Sequence, residues 1–244
     1  MLEFILLGVA QGIFEWLPIS SEGIVALMSS FLVDGMNAVD IALFLHIGTL
    51  LAVLVYFRKD WKEVILLKDK RILKFLIIAT IISLIIGYPA YRFVRNIAIG
   101  TSLLFVVAIG LLITSYFHKS KQRFALELSQ VSVIAGFLQG LAVIPGLSRS
   151  GSTIFGLSLG DIKTEEILKF SYMMSVPVVV ASTVFILITN PLVAAGWPAL
   201  ISSFVVGLIT LHFLMKFSQK INFFWFTFVF GILCLIGAFV SLWA

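Results

Sequence analysis

Charge is what this chain has least of. Asp, Glu, Lys and Arg make up 12% of its 244 residues, against about 25% in a soluble domain. A water-exposed surface cannot be built from so few charges, so a soluble fold is excluded. Cysteine is nearly missing too. Cys234 stands alone, which rules out an internal disulfide. No basic cluster precedes the first apolar stretch, where Glu3 is the sole charge, so a cleavable signal peptide is not expected. The net charge of +5 is spread over short loops and not gathered into a patch, so no nucleic-acid partner is expected.

Apolar residues are abundant: 61% of the chain, with 23 Phe and 5 Trp. A spanning helix needs about 20 mostly apolar residues. Six segments meet that length: 38–57, 72–91, 98–117, 168–189, 199–216 and 223–243. Between them lie short polar turns. Seven Lys and Arg residues fall between Arg58 and Lys74; Lys119, Lys121 and Arg123 fall in 118–130; Lys216 and Lys220 bound the last turn. The turn 92–97 holds only Arg92 and Arg95, and 190–198 holds no charge. The positive-inside rule places the first three loops in the cytoplasm and the last two, with both termini, outside.

Residues 1–33 and 131–160 are apolar but broken midway by Pro, Gly, Ser and charge. Each is too short for two spans and must return to its starting side. Both predict a re-entrant helix hairpin, and irregular backbone at that depth must be buried in protein or line a wet cavity. The breaks share a pattern. Gln11-Gly12 precedes Pro18, Ser20, Ser21 and Gly23; Gln139-Gly140 precedes Pro145, Ser148, Ser150 and Gly151; Gln to the last Gly is twelve positions in both. The expected fold is an all-α integral membrane protein with six transmembrane helices and two re-entrant hairpins in an inverted-topology repeat. The halves are 1–117 and 131–244, joined by a cytoplasmic linker 118–130. Such repeats place the functional site near the midplane, where they meet.

The second break reads Pro145-Gly146-Leu147-Ser148-Arg149-Ser150-Gly151-Ser152-Thr153. An Arg at membrane depth is costly and needs an anionic partner. Hydroxyls, glycines and a following helix N-terminus complete a phosphate or diphosphate cradle. The competing account is an Arg paired with a Glu to hold helices together. In the first break, Gln11 and Glu15 share one helix face, and Glu15 is a candidate acid/base or metal-binding carboxylate. Ser20 and Ser21 are candidate nucleophiles or phosphate donors, or they cap the next helix, with Glu22 in its first turn. His46 lies inside a span and is a functional suspect; a neutral His bonding a serine is its alternative. His118, at a cytoplasmic helix end, reads as solvated, and His212, near Lys216, as structural.

These residues resemble the integral-membrane undecaprenyl-diphosphate phosphatases, the bacitracin-resistance proteins, over nearly the whole chain. Pro145 to Thr153 is similar to the family signature Pro-Gly-x-Ser-Arg-Ser-Gly-x-Thr. Glu15-Trp16-Leu17-Pro18-Ile19-Ser20-Ser21 is similar to its Glu-Phe-Leu-Pro-Val-Ser-Ser. Phe170-Ser171-Tyr172-Met173-Met174-Ser175-Val176-Pro177 is similar to a third segment. The resemblance implies hydrolysis of a polyprenyl diphosphate to the monophosphate at the outer face of the plasma membrane, recycling the lipid carrier for cell-envelope glycans. It implies Arg149, Glu15 and Ser21 as catalytic residues, with Ser148 and Thr153 helping to hold the diphosphate. Gln11, Ser20, Glu22, Ser150 and His46 complete the expected binding set. Mg²⁺ or another divalent cation at Glu15 is expected, with no organic cofactor, and a homodimer is left open. The rival reading is a polyprenyl-phosphate carrier or flippase without hydrolysis. Two departures mark a divergent member: Gln11 stands where the family usually has Glu, and Ile24 where it usually has His. Glu22 and His46 are the residues expected to stand in.

Overall fold

A computed structural model describes residues 1–17, 20–97, 101–119, 126–160, 162, 164–217 and 223–243; for a few helical residues, His118 among them, only the backbone is described. No strand occurs among the described residues. The chain is an all-α membrane protein. The first half runs α1 (Leu2–Phe14), α2 (Ser21–Leu32), α3 (Ala38–Tyr56), α4 (Arg58–Ile65), α5 (Lys70–Ile97) and α6 (Thr101–Lys119). The second half runs α7 (Leu128–Leu141), α8 (Arg149–Ser158), α9 (Thr164–Thr189), a 3₁₀ turn (Pro191–Gly196), α10 (Trp197–Phe217) and α11 (Phe223–Trp243).

Among the described residues, four stretches are long and apolar enough to cross a membrane: Ala38–Tyr56, Lys70–Ile97, Glu166–Thr189 and Pro191–Lys216. Helices α6 and α11 occupy the other two expected spans. Ile85 on α5, Ile201 on α10 and Val240 on α11 are exposed, as a lipid-facing surface requires. The 1–33 and 131–160 segments each fold as two short helices around a break. Helices of 13, 12, 14 and 10 residues rise no more than about 20 Å each, short of a bilayer core.

Helix α1 lies along α10 and α7 along α5; α2 rests on α3 and α8 on α9; α3 crosses α10 and α9 crosses α5; α6 pairs with α11. Exchanging the halves (α1 with α7, α2 with α8, α3 with α9, α5 with α10, α6 with α11) returns these same pairs. The two hairpin seams are backbone to backbone. A Cβ at Gly12 would sit 2.7 Å from the Gly207 nitrogen, and one at Gly140 would sit 2.8 Å from the Ser83 carbonyl. Small residues permit this approach, and dispersion then does the work of association in lipid.

The structure differs from the sequence reading at two turns: the polar stretch 58–74 holds the helix α4, and the turn at 92–97 does not break its helix. Residues 92–97, read as a loop from their two arginines, continue α5 to Ile97. Asp40, fully buried at the start of α3, explains this. Arg95 Nε and Nη2 donate to it at 2.9–3.1 Å, Tyr91 Oη donates at 2.6 Å, and Asn190 Nδ2 donates as well. A further helical turn carries Arg95 to that carboxylate. Residues 120–125 of the linker 118–130 lie outside the described residues.

Candidate active site

The two hairpin tips touch. Ser20 caps α2, accepting from Gly23 N at 3.2 Å, and its Oγ also accepts from Gly146 N at 3.0 Å across the interface. Ser20 sits in left-handed backbone at φ 66° and Gly146 at φ 95°. A non-Gly residue in that region is held there by its surroundings. Ser148 caps α8, accepting from Gly151 N at 3.1 Å, and Ser150 Oγ donates to the Leu17 carbonyl of the other hairpin at 3.1 Å. From α6, Thr114 Oγ1 accepts from Ser148 N at 2.9 Å and donates to the Gly146 carbonyl at 3.3 Å. A Cβ at Gly110 would sit 2.5 Å from Gly146 C, so α6 braces this tip directly.

Behind the tips lies a buried polar centre organised on Glu15. Its Oε1 accepts from Arg149 Nη2. Its Oε2 accepts from Ser21 Oγ at 2.6 Å and Gln11 Nε2 at 2.7 Å, and lies 3.2 Å from His46 Nε2. Arg149 Nη1 reaches the Ser171 carbonyl at 3.3 Å. The other ring nitrogen of His46, Nδ1, is 2.8 Å from the Ala42 carbonyl. Carbonyl and carboxylate oxygens only accept, so a proton on each ring nitrogen satisfies both contacts. The centre then holds one carboxylate between two cations. This matches the demand that buried charge be paired and hydrogen-bonded.

The predicted residues divide by position. Glu15, Ser20, Ser21, Glu22, His46, Ser148, Arg149 and Ser150 border one polar chamber of about 10 Å³, room for a single water. Gln11 and Thr153 stand behind this lining. Gln11 is bonded to Glu15; Thr153 Oγ1 lies 2.6 Å from Ser171 Oγ and donates to the Arg149 carbonyl at 2.9 Å. Ile24, where the family usually carries His, is buried in α2; the imidazole of this site comes from α3. Sequence reasoning did not single out Thr114 or Ser171, which support the tip and the guanidinium. His212 is exposed on α10 beside Tyr56, away from the site.

A second cavity of about 200 Å³ adjoins the first. Its walls are mainly apolar: Leu43, Leu84, Tyr88, Val143, Val179 and Phe185 among them. Tyr88 and Leu84 in its wall are also exposed, so the cavity reaches the protein surface at α5. Glu22, His46 and Arg149 border both spaces.

A divalent cation does not fit this donor set. Four donors, two of them cationic, already surround Glu15, and Gln11 beside it brings an amide where the resemblance leads one to expect a carboxylate. Among the described residues no three His, Cys, Asp or Glu side chains gather into a metal-binding group.

Fold and site thus define an integral-membrane helical protein with a buried, positively framed polar centre beside an apolar cavity. The family model for bacitracin resistance protein BacA matches residues 4–236, and the chain belongs to that family. Curated relatives named undecaprenyl-diphosphatase include one from Methanococcoides burtonii, 34% identical over 98% of this chain and 98% of its own. Another, from Methanothrix thermoacetophila, is 34% identical over 96% and 95%. One from Haloarcula marismortui is 35% identical over 97% of each chain.

Proposed function

We propose that this protein hydrolyses undecaprenyl diphosphate, or a polyprenyl diphosphate like it, to the monophosphate and phosphate. The observation that carries the reading is one hydroxyl–carboxylate–guanidinium chain. Ser21 Oγ donates to Glu15, which is held by Arg149, beside a cavity that suits a prenyl tail. The cavity is smaller than the usual small-molecule pocket of about 300–1,000 Å³. It takes the units next to the headgroup, and the rest of the tail lies in lipid beside α5.

A water-sized chamber does not admit a phosphoryl group until something moves. Arg149 is the residue that moves: a diphosphate competes with Glu15 for the guanidinium, as bidentate phosphate recognition favours. Two things follow from one exchange. The phosphates gain Arg149 and the His46 charge, and Glu15 is relieved of its strongest hydrogen-bond donor. Glu15 then takes the Ser21 proton, and Ser21 Oγ attacks the terminal phosphorus. Positioning and charge neutralisation supply most of the rate in such transfers. No divalent cation enters these steps. We place the chamber towards the outer side of the plasma membrane, with both termini outside, on the charge distribution of the loops.

A carrier that moved the lipid without hydrolysis would have no use for a hydroxyl aimed at a carboxylate, and the flippase reading is not adopted. Purified protein given a long-chain prenyl diphosphate in detergent is expected to release phosphate. Ser21→Ala is expected to lower release at least about 1,000-fold while lipid binding persists. Lipid movement across liposomes with no phosphate release would overturn the reading; full turnover by Ser21→Ala would overturn Ser21 as nucleophile.

A further inference from the structure

The site holds a second carboxylate that the mechanism above does not use. Glu22 is 6% exposed, and its Oε1 has no hydrogen-bond partner. The hydrogen bonds and ion contacts of Arg149 and His46 go to Glu15, Ser171 and Ala42, not to Glu22. An ionised carboxylate at this depth calls for hydrogen-bonded partners, and this bare oxygen has none. A protonated one is a neutral acid with a proton to give, and two carboxyl groups in one site held in opposite states divide acid and base roles between them.

Position says where that proton goes. Ser21 borders only the small chamber, so the terminal phosphate must sit there; the apolar cavity takes the tail and the phosphate attached to it. The scissile bridging oxygen then falls at the junction of the two spaces. Three residues border both: Arg149, His46 and Glu22. Arg149 does not release protons in a protein, and the His46 Nε2 proton faces Glu15. Glu22 alone has an uncommitted oxygen there.

We propose that Glu22 is the general acid that protonates the leaving prenyl monophosphate, and later the general base that activates water. This rests on the hydrolase reading. In the first half, the Ser21 Oγ–phosphorus bond forms and the bond from phosphorus to the bridging oxygen breaks. That oxygen takes the Glu22 proton, and Glu15 takes the Ser21 proton. In the second half, water attacks the phosphoserine and gives its proton to Glu22. The phosphorus–Oγ bond breaks, and Oγ recovers the proton held on Glu15. Both carboxyl groups return to their starting states.

The test compares a long-chain prenyl diphosphate with its analogue carrying sulfur in the P–O–P bridge, since a thiolate leaves without a proton. Glu22→Gln keeps the shape of the side chain. In the first turnover, which ends as the prenyl monophosphate leaves and precedes the water step, release of that product by this variant is expected to slow about 100-fold or more with the oxygen substrate and less than about tenfold with the sulfur one. With wild-type protein, which needs no variant to fold, first-turnover release of the prenyl product is expected to slow more in D2O with the oxygen substrate than with the sulfur one. Equal losses on both substrates, or a solvent isotope effect blind to the bridging atom, overturn the assignment and leave the hydrolase standing. No phosphate from either substrate with wild-type protein overturns both.

Discussion

The two hairpins have one frame and opposite contents. The offset that carries Gln11 to Gln139 also carries Ser20 to Ser148 and Gly23 to Gly151. Both serines cap the helix that follows, each accepting from the glycine three residues on. The chemistry sits on the positions that do not match. Ser21 corresponds to Arg149 at the first position of each helix, Glu15 to Val143, and Glu22 to Ser150. One hairpin brings the carboxylates and the hydroxyl, and the other brings the cation. The same capping device, met twice, thus builds a site that neither copy builds alone. The capping serines are a requirement of the turn, and the residues beside them are where function was free to diverge.

Removing the cation breaks this division most severely. Arg149→Ala takes away the group that holds phosphate and leaves His46 as the one cation against Glu15. Phosphate release is expected to fall by at least about 1,000-fold. Detergent stability is expected to fall by about 1.5–3 kcal/mol, the loss of a charged hydrogen bond, since His46 still faces Glu15. Arg149→Lys keeps the charge but cannot reach Glu15 and the Ser171 carbonyl with one rigid fork. It should recover much of the stability and little of the turnover. Wild-type turnover in either variant would mean the second hairpin contributes structure alone.

The helix after each hairpin extends the contrast. The same offset takes His46 on α3 to Met174 on α9. His46 faces Glu15, whereas Met174 gives its backbone carbonyl to Gln139. His46→Gln can still donate to Glu15 but carries no charge. Losing a charged hydrogen bond is worth about 1.5–3 kcal/mol, so turnover should fall roughly 10- to 100-fold. Met174→Leu is expected to stay near wild type. A His46→Gln variant with unchanged rates would remove the imidazole from the mechanism.

How much of this was legible beforehand follows from where each contact lies. The meeting of Arg149 and Glu15 could be read because an intramembrane charge demands an opposite charge, and each sits in a break that cannot face lipid. The contact of His46 with Glu15 could not be derived that way. The sequence places His46 at membrane depth, but which way α3 turns is decided by its packing on α9 and α10. Arg95 was misread for a related reason. Arginine beside an apolar run looks like loop charge until Asp40, a whole span away, shows that it has a buried partner. Thr114 gave no local signal; a lone hydroxyl in an apolar helix is common, and its role exists only because Gly146 arrives beside it.

The finest form of the comparison is the pair of glutamines. Gln11 Nε2 donates to Glu15 at 2.7 Å, and Gln139 Nε2 donates to Ser83 Oγ and the Met174 carbonyl, each at 3.1 Å. Both side-chain oxygens are buried without a partner. As parts of a repeated fold the two are alike, and only Gln11 touches the reacting groups. Alanine at either position removes an unpartnered acceptor along with its useful donor, so the net effect of each on stability should be small, about 1 kcal/mol. Their effects on turnover should separate. Without Gln11, Glu15 loses one of four donors, and its grip on the Ser21 proton changes; phosphate release is expected to shift by roughly tenfold, the low end for one hydrogen bond to a charged group. Gln139→Ala leaves Glu15 untouched and should move the rate by less than about twofold. Equal shifts would mean that the amide at position 11 acts through helix packing, as its counterpart does, and that the first hairpin's active half begins only at Glu15.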